Sequence, residues 1–85
     1  SSVHLDDIVV ETDFEAEMII EKLYEAQQEF GAASVANLKE LTRTSPTYVD
    51  HKWGWPDGVE FGKKRVRIEG GIGVLLLIPE PVVLR

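Results

Sequence analysis

Between Thr12 and Gly31 the sequence carries a start, a repeat and a stop for one amphipathic helix, and that helix limits what the rest of the chain can form. "TDFE" has the form of a capping box, in which Thr12 accepts from the backbone N–H of Glu15 and the Glu15 side chain reaches back to the N–H of Thr12. Phe14, Met18, Ile19, Leu23, Ala26 and Phe30 follow at spacings near 3.6 residues. Gly31 suits the left-handed residue that ends a helix. The spacing therefore predicts a helix over 13–30. Its opposite face holds Glu17, Glu21, Glu25, Gln28 and Glu29, which reads as a solvated acidic face. A carboxylate metal site between helices adds an inward-facing histidine and a second ligand-bearing helix, and neither is evident.

A helix with one apolar side needs a layer to pack on, and the C-terminal part of the chain supplies it. "KKRVRIE" alternates in period two, with Lys64, Val66 and Ile68 on one face and Arg65, Arg67 and Glu69 on the other. Gly70-Gly71 is a hairpin signal. "IGVLLLI" is an apolar partner strand that Pro79 and Pro81 end. Upstream, "HLDDIVVET" (4–12) reads as one short strand around Ile8, Val9 and Val10. "SVANLKELTRTSP" (34–46) reads as a second, shorter helix with Ser34 as N-cap and Val35, Leu38 and Leu41 as its buried stripe. Ser45-Pro46 opens one more helical turn through about Asp50, and "WGWPDG" is turn material.

The predicted fold is α+β: two main helices on one face of a small, mainly antiparallel sheet, in the order β-α-α-β-β. Its expected core is Val9, Phe14, Met18, Leu23, Phe30, Leu38, Leu41, Val66, Ile68, Leu75 and Leu77. Eighty-five residues suit one small domain over 1–85, and the Ser-Ser start fits a trimmed product or a domain excised from a longer protein. With no cysteine, disulfide frameworks and cysteine-ligated zinc or iron–sulfur sites drop out. The acidic N-terminus does not read as a signal peptide. The longest apolar run, Ile72 to Ile78, is far below the roughly 20 residues of a membrane-spanning helix, so no membrane partner is expected.

The net charge of −6 disfavours broad nucleic-acid affinity. It is unevenly spread. Residues 1–30 hold nine acids and one base, Lys22, whereas residues 31–85 hold eight bases and six acids. Such a split marks either an intermolecular surface or a pairing of the two parts with each other. The basic cluster is "KKRVR" (63–67), which on a strand sets Lys63, Arg65 and Arg67 on one face. That face suits phosphate contacts, a solvent-exposed sheet face whose charges discourage edge association, or a meeting with the acidic first helix.

Catalytic and cofactor signals are weak. "GGIG" (70–73) has strands on both sides, whereas a phosphate loop leads into a helix. His4 and His51 are the two histidines, too few for a metal centre of three or four ligands without further donors. No G-x-S-x-G elbow exists. The chain is thus expected to be no enzyme and to carry no cofactor. Trp53 and Trp55 flank Gly54, and the simplest reading is a corner in which one tryptophan anchors the core and the other stays partly exposed.

"GAASVANLKEL", "SPTYVDHKWGW", the basic strand "KRVRI" and the closing "LLLIPEPV" together resemble a small, functionally uncharacterised domain found in proteins of phages, prophages and related mobile elements. The resemblance covers about 8–82 and is most specific at Lys52-Trp53-Gly54-Trp55. Asn37 stands where that family has Asp, His51 where it has Asn, and "WPDG" where it tends to Trp-Thr-Asp. It implies a phage-related setting, in the cytoplasm of a bacterial host or on a virion, and no catalytic residue. The expected role is a non-catalytic accessory or protein-interaction domain that binds another protein or itself. Its candidate surface is Tyr48, Trp53, Trp55, Lys63, Arg65 and Arg67. The alternative is a winged-helix-like nucleic-acid binder with 34–42 and 46–51 as the helix-turn-helix and the 64–78 hairpin as the wing. Arg43, Lys52, Lys63, Lys64, Arg65 and Arg67 would then meet phosphates.

Overall fold

A computed structural model describes residue 3 and residues 5–85; His4, one of the two histidines, lies outside the described residues. The fold is α+β. In chain order it runs β1 (Val9–Val10), α1 (Asp13–Phe30), β2 (Ala32–Ser34), α2 (Val35–Leu41), a 3-10 turn (Val49–Lys52), β3 (Trp53–Pro56), β4 (Gly62–Ile68), β5 (Gly71–Leu77) and β6 (Val82–Val83). The larger elements keep the expected β-α-α-β-β order. Three short strands are additional, and the strands form two antiparallel sheets rather than one: β1-β5-β4 and β2-β3-β6.

Local chemistry explains the helix ends. Thr12 accepts from the Glu15 N–H at 3.1 Å, which is half of the expected capping box, and Gly31 ends α1 at φ 83° with its N–H on the Gln27 carbonyl. The full reciprocal box occurs instead on α2. There the Ser34 hydroxyl accepts from the Asn37 N–H at 3.0 Å and the Asn37 carboxamide oxygen accepts from the Ser34 N–H at 2.9 Å. At its other end, the Thr44 N–H reaches the Lys39 carbonyl and the Arg43 N–H the Glu40 carbonyl, the Schellman pattern. Arg43 holds the left-handed position there at φ 60°, a place usually given to glycine. The turn expected over 46–50 forms later, as four residues of 3-10 helix.

Two expectations about facing are corrected. The buried stripe of α1 is Ala16, Ile19, Leu23 and Gln27, while Phe14 and Phe30 are 71% and 74% exposed and Met18 is exposed as well. The small Ala16 permits close approach to the layer beneath, and Gln27 turns inward because its amide has carbonyls to meet there. In the first sheet, Val10, Val74 and Leu76 face inward. Val9, Ile68 and Leu77, expected in the core, are exposed, and Val66 and Leu75 are half-buried on the same outer face. Of the residues expected in the core, Leu23 and Leu38 are fully buried and Leu41 packs at its margin.

The two sheets meet at one ring. Trp55 on β3 is 1% exposed, donates Nε1–H to the Pro79 carbonyl at 2.7 Å, and stands edge-on to Phe61 with centroids 5.6 Å apart. Tyr24 of α1 also packs on Phe61, with ring centroids 5.4 Å apart. Its hydroxyl accepts from the Phe61 N–H at 3.0 Å. Gly54 answers for the spacing of the tryptophans. A Cβ there would collide with the Ala33 carbonyl oxygen and lie 2.7 Å from Ser34 Cα, so β2 can sit against β3 only where this residue has no side chain.

Leu23→Ala should therefore lower unfolding stability by about 2–5 kcal/mol, whereas Phe14→Ala should stay within about 0.5 kcal/mol of the parent. Chemical denaturation of both variants checks the helix rotation, and equal losses would show it to be wrong.

Candidate interaction surface

β4 brings three of the candidate residues together. Its pairing with β5 sets Lys63 opposite Leu76, Arg65 opposite Val74 and Arg67 opposite Ile72. The basic row thus shares the helix-facing side of the sheet with the inward Val74 and Leu76. This is where the acidic helix meets it: the Lys63 ammonium donates to the carboxylates of Asp13 and, at 3.0 Å, Glu17. The hydrogen bond from Lys63 holds the Asp13 carboxyl below the usual range. The bonds to Asp13 and Glu17 raise Lys63 above its own. Arg65 adds to the field on Asp13 without a direct ion pair. Lys64, Arg65 and Arg67 are exposed and, among the described residues, pair with no carboxylate.

The opposite face of this sheet is apolar apart from Lys64 and is left uncovered by the described residues. Val9 and Ile68 lean over Gly73 from either side, closely enough to leave no room for a Cβ there. Leu77 continues the patch, and Val66 and Leu75 lie between. Glu69 and Gly70 close the hairpin one residue earlier than the glycine pair suggested.

The other candidates lie elsewhere. Tyr48, 75% exposed, precedes the 3-10 turn with the Lys52 ammonium 5.0 Å from its ring centroid. Trp53 is half-buried in the second sheet. Trp55 has no surface to offer a partner. The segment read as a turn and corner is instead a strand, since Trp53–Pro56 is β3 at the centre of the second sheet and the turn is confined to Asp57-Gly58; Trp55 is its buried anchor and Trp53 its partly exposed ring.

Residues that the sequence did not single out hold the corner in place. The Gln27 amide donates to the carbonyls of Pro56 at 2.9 Å and Val59 at 3.0 Å, with Trp55 at 3.4 Å. Its signal was its position, four residues after Leu23 on the inward stripe. Asp50, 2% exposed, accepts from Lys39 Nζ at 2.8 Å and from the Thr47 N–H at 2.7 Å. Burial pushes the Asp50 carboxyl up, but the bonds from Lys39 and Thr47 outweigh it and hold the group below its ordinary value. Asp50 is thereby committed to structure, and its neighbour His51 is exposed. Among the described residues, no three His, Cys, Asp or Glu side chains are grouped to hold a metal ion, and no helix is long and apolar enough to cross a membrane.

Compared with protein-family models, curated proteins and solved structures, the chain matches none of them.

A carboxylate with a depressed folded pKa contributes stability above its unfolded value and loses it as the pH falls through the folded one. Thermal stability should therefore hold down to about pH 4 and decline below it. Asp50→Asn should be less stable than the parent at pH 7 and show a shallower decline between about pH 4 and 2. Melting curves across that range check this, and parallel curves for the two proteins would remove Asp50 from the acid response.

Proposed function

We propose that the chain is a non-catalytic interaction domain whose partner is another protein or a second copy of itself. In keeping with the resemblance of its SVANLKEL and HKWGW segments, we place it in a phage-, prophage- or mobile-element-related protein, acting in the bacterial cytoplasm or on the virion. The observation that carries this reading is the uncovered outer face of the first sheet. Val9, Ile68 and Leu77 are exposed along it, with the half-buried Val66 and Leu75 between them and cations on the flanking strand. Grouped apolar exposure rimmed by polar residues is the usual mark of a protein contact, whereas single exposed apolar residues are not. The unpaired Arg65 and Arg67 add a charged margin that sets orientation and encounter rate more than affinity.

One observation favours the nucleic-acid reading: Lys64, Arg65 and Arg67 stand exposed on a hairpin. Against it, the segment required as a recognition helix is a single 3-10 turn, Val49–Lys52, too short to lie along a major groove. The net charge also opposes a polyanion.

A fluorescence-anisotropy titration with duplex DNA near physiological salt separates the readings. The expected result is no saturable binding. Micromolar binding that disappears in the Arg65→Ala/Arg67→Ala variant would replace the protein-interaction reading with the nucleic-acid one.

A further inference from the structure

The free edge of the first sheet is more specific than its face. β4 is an edge strand, and β5 is the one strand or helix that it packs against closely among the described residues. In an antiparallel ladder a residue's N–H and C=O point to the same neighbour, and the direction alternates along the strand. The Leu76 N–H donates to the Ile8 carbonyl at 2.9 Å, so Val74 and Leu76 turn their backbone groups toward β1. Gly73, Leu75 and Leu77 then turn theirs toward β4, where they meet Val66, Lys64 and Gly62. Lys63, Arg65 and Arg67 are left with backbone donors and acceptors aimed out of the sheet. The residues with open backbone groups are therefore the ones with basic side chains, all on the helix-facing side.

We propose that β4 is a docking edge for an extended acidic segment of another protein, which adds to the sheet as a fourth strand. This deepens the interaction reading and rests on it. An added antiparallel strand sets its own residues opposite Lys63, Arg65 and Arg67 with side chains on the same face, close enough for cross-strand pairs. Lys63 is already neutralised by Asp13 and Glu17, so Arg65 and Arg67 select carboxylates there. The alternate residues of the segment fall beside Lys64, Val66 and Ile68 and extend the outer apolar face, which selects apolar or β-branched side chains. The occupant is thus a strand that alternates acidic with apolar residues. A second copy of β4 is the wrong occupant. Antiparallel self-pairing about Arg65 sets it against itself and Lys63 against Arg67, and like charges directly opposite are destabilising.

The test uses the ¹⁵N-labelled protein and a capped seven-residue peptide alternating glutamate with valine or threonine. One control replaces glutamate by lysine, and another N-methylates the glutamate amides, keeping the charge but removing the donors. Binding should slow amide hydrogen exchange at Lys63, Arg65 and Arg67, while Lys64 and Val66 are slow already. The glutamate peptide should bind about tenfold or more tighter than either control, and about tenfold weaker to Arg65→Ala/Arg67→Ala. Failure of the peptide to bind, or equal binding of the N-methylated one, overturns the docking edge. Shifts confined to Val9, Ile68 and Leu77 also overturn it, yet leave the interaction reading in place. Protection of the three amides that rises with protein concentration alone assigns the edge to self-association and overturns the acidic partner. Duplex DNA binding that depends on Arg65 and Arg67 overturns both readings together.

Discussion

The Trp55 ring sets the geometry on which the rest of this molecule depends. An 85-residue chain has a small interior, and two three-stranded sheets need a common buttress to remain one body. Trp55 provides it from the second sheet, with its indole N–H on Pro79 just past β5 and its ring nearly perpendicular to that of Phe61 just before β4. Helix α1 is drawn into the same junction. Gln27 binds carbonyls of the corner that follows Trp55, and Tyr24 holds the Phe61 backbone and ring. Gly54 makes this possible by letting β2 and β3 close up behind the ring.

The sequence announced what is decided locally. The limits of α1 are legible because Thr12, Glu15 and Gly31 act within a few residues of themselves, and the hairpin because its alternation is broken by glycine. The rotation of α1 was not legible. Phe14 and Phe30 are better apolar residues than Gln27, but unpaired carbonyls from a turn some thirty positions later claim the amide. The same limit applies to β4 and β5. Alternation yields two sets of side chains without saying which faces inward, and it is Val74 and Leu76 that join Val10 in the core. Strands as short as Ala32–Ser34 and Val82–Val83 have no periodicity to read and exist because β3 pairs with them. For the candidate surface, the basic row was visible in "KKRVR", whereas the open edge beside it became visible only with the sheet order.

Charge also divides into two kinds. Lys39 and Asp50 form a pair whose carboxylate is buried, and it fixes the approach to β3. Lys63 joins the acid-rich first part of the chain to the hairpin on the surface, where solvent weakens the attraction. Past Lys63 the hairpin runs beyond its acidic partners, which leaves Arg65 and Arg67 with a field directed outward. The excess of acids in residues 1–30 is therefore answered only in part from within the molecule.

Each sheet is finished by a strand from near one end of the chain: β1 pairs with β5, and β6 pairs with β3. The hairpin and α1 can form from neighbouring residues, but the first sheet closes only when Val9 and Val10 reach Leu75 and Val74, with α1, α2 and β3 lying between them in the chain. The entropy of closing that long loop is lost before the contact gives anything back. Until β1 arrives, the β5 edge of the hairpin is open as well as its β4 edge. A hairpin with two open edges is exposed to pairing with its like, and the row Lys63, Arg65 and Arg67 sets like charges against such pairing during folding.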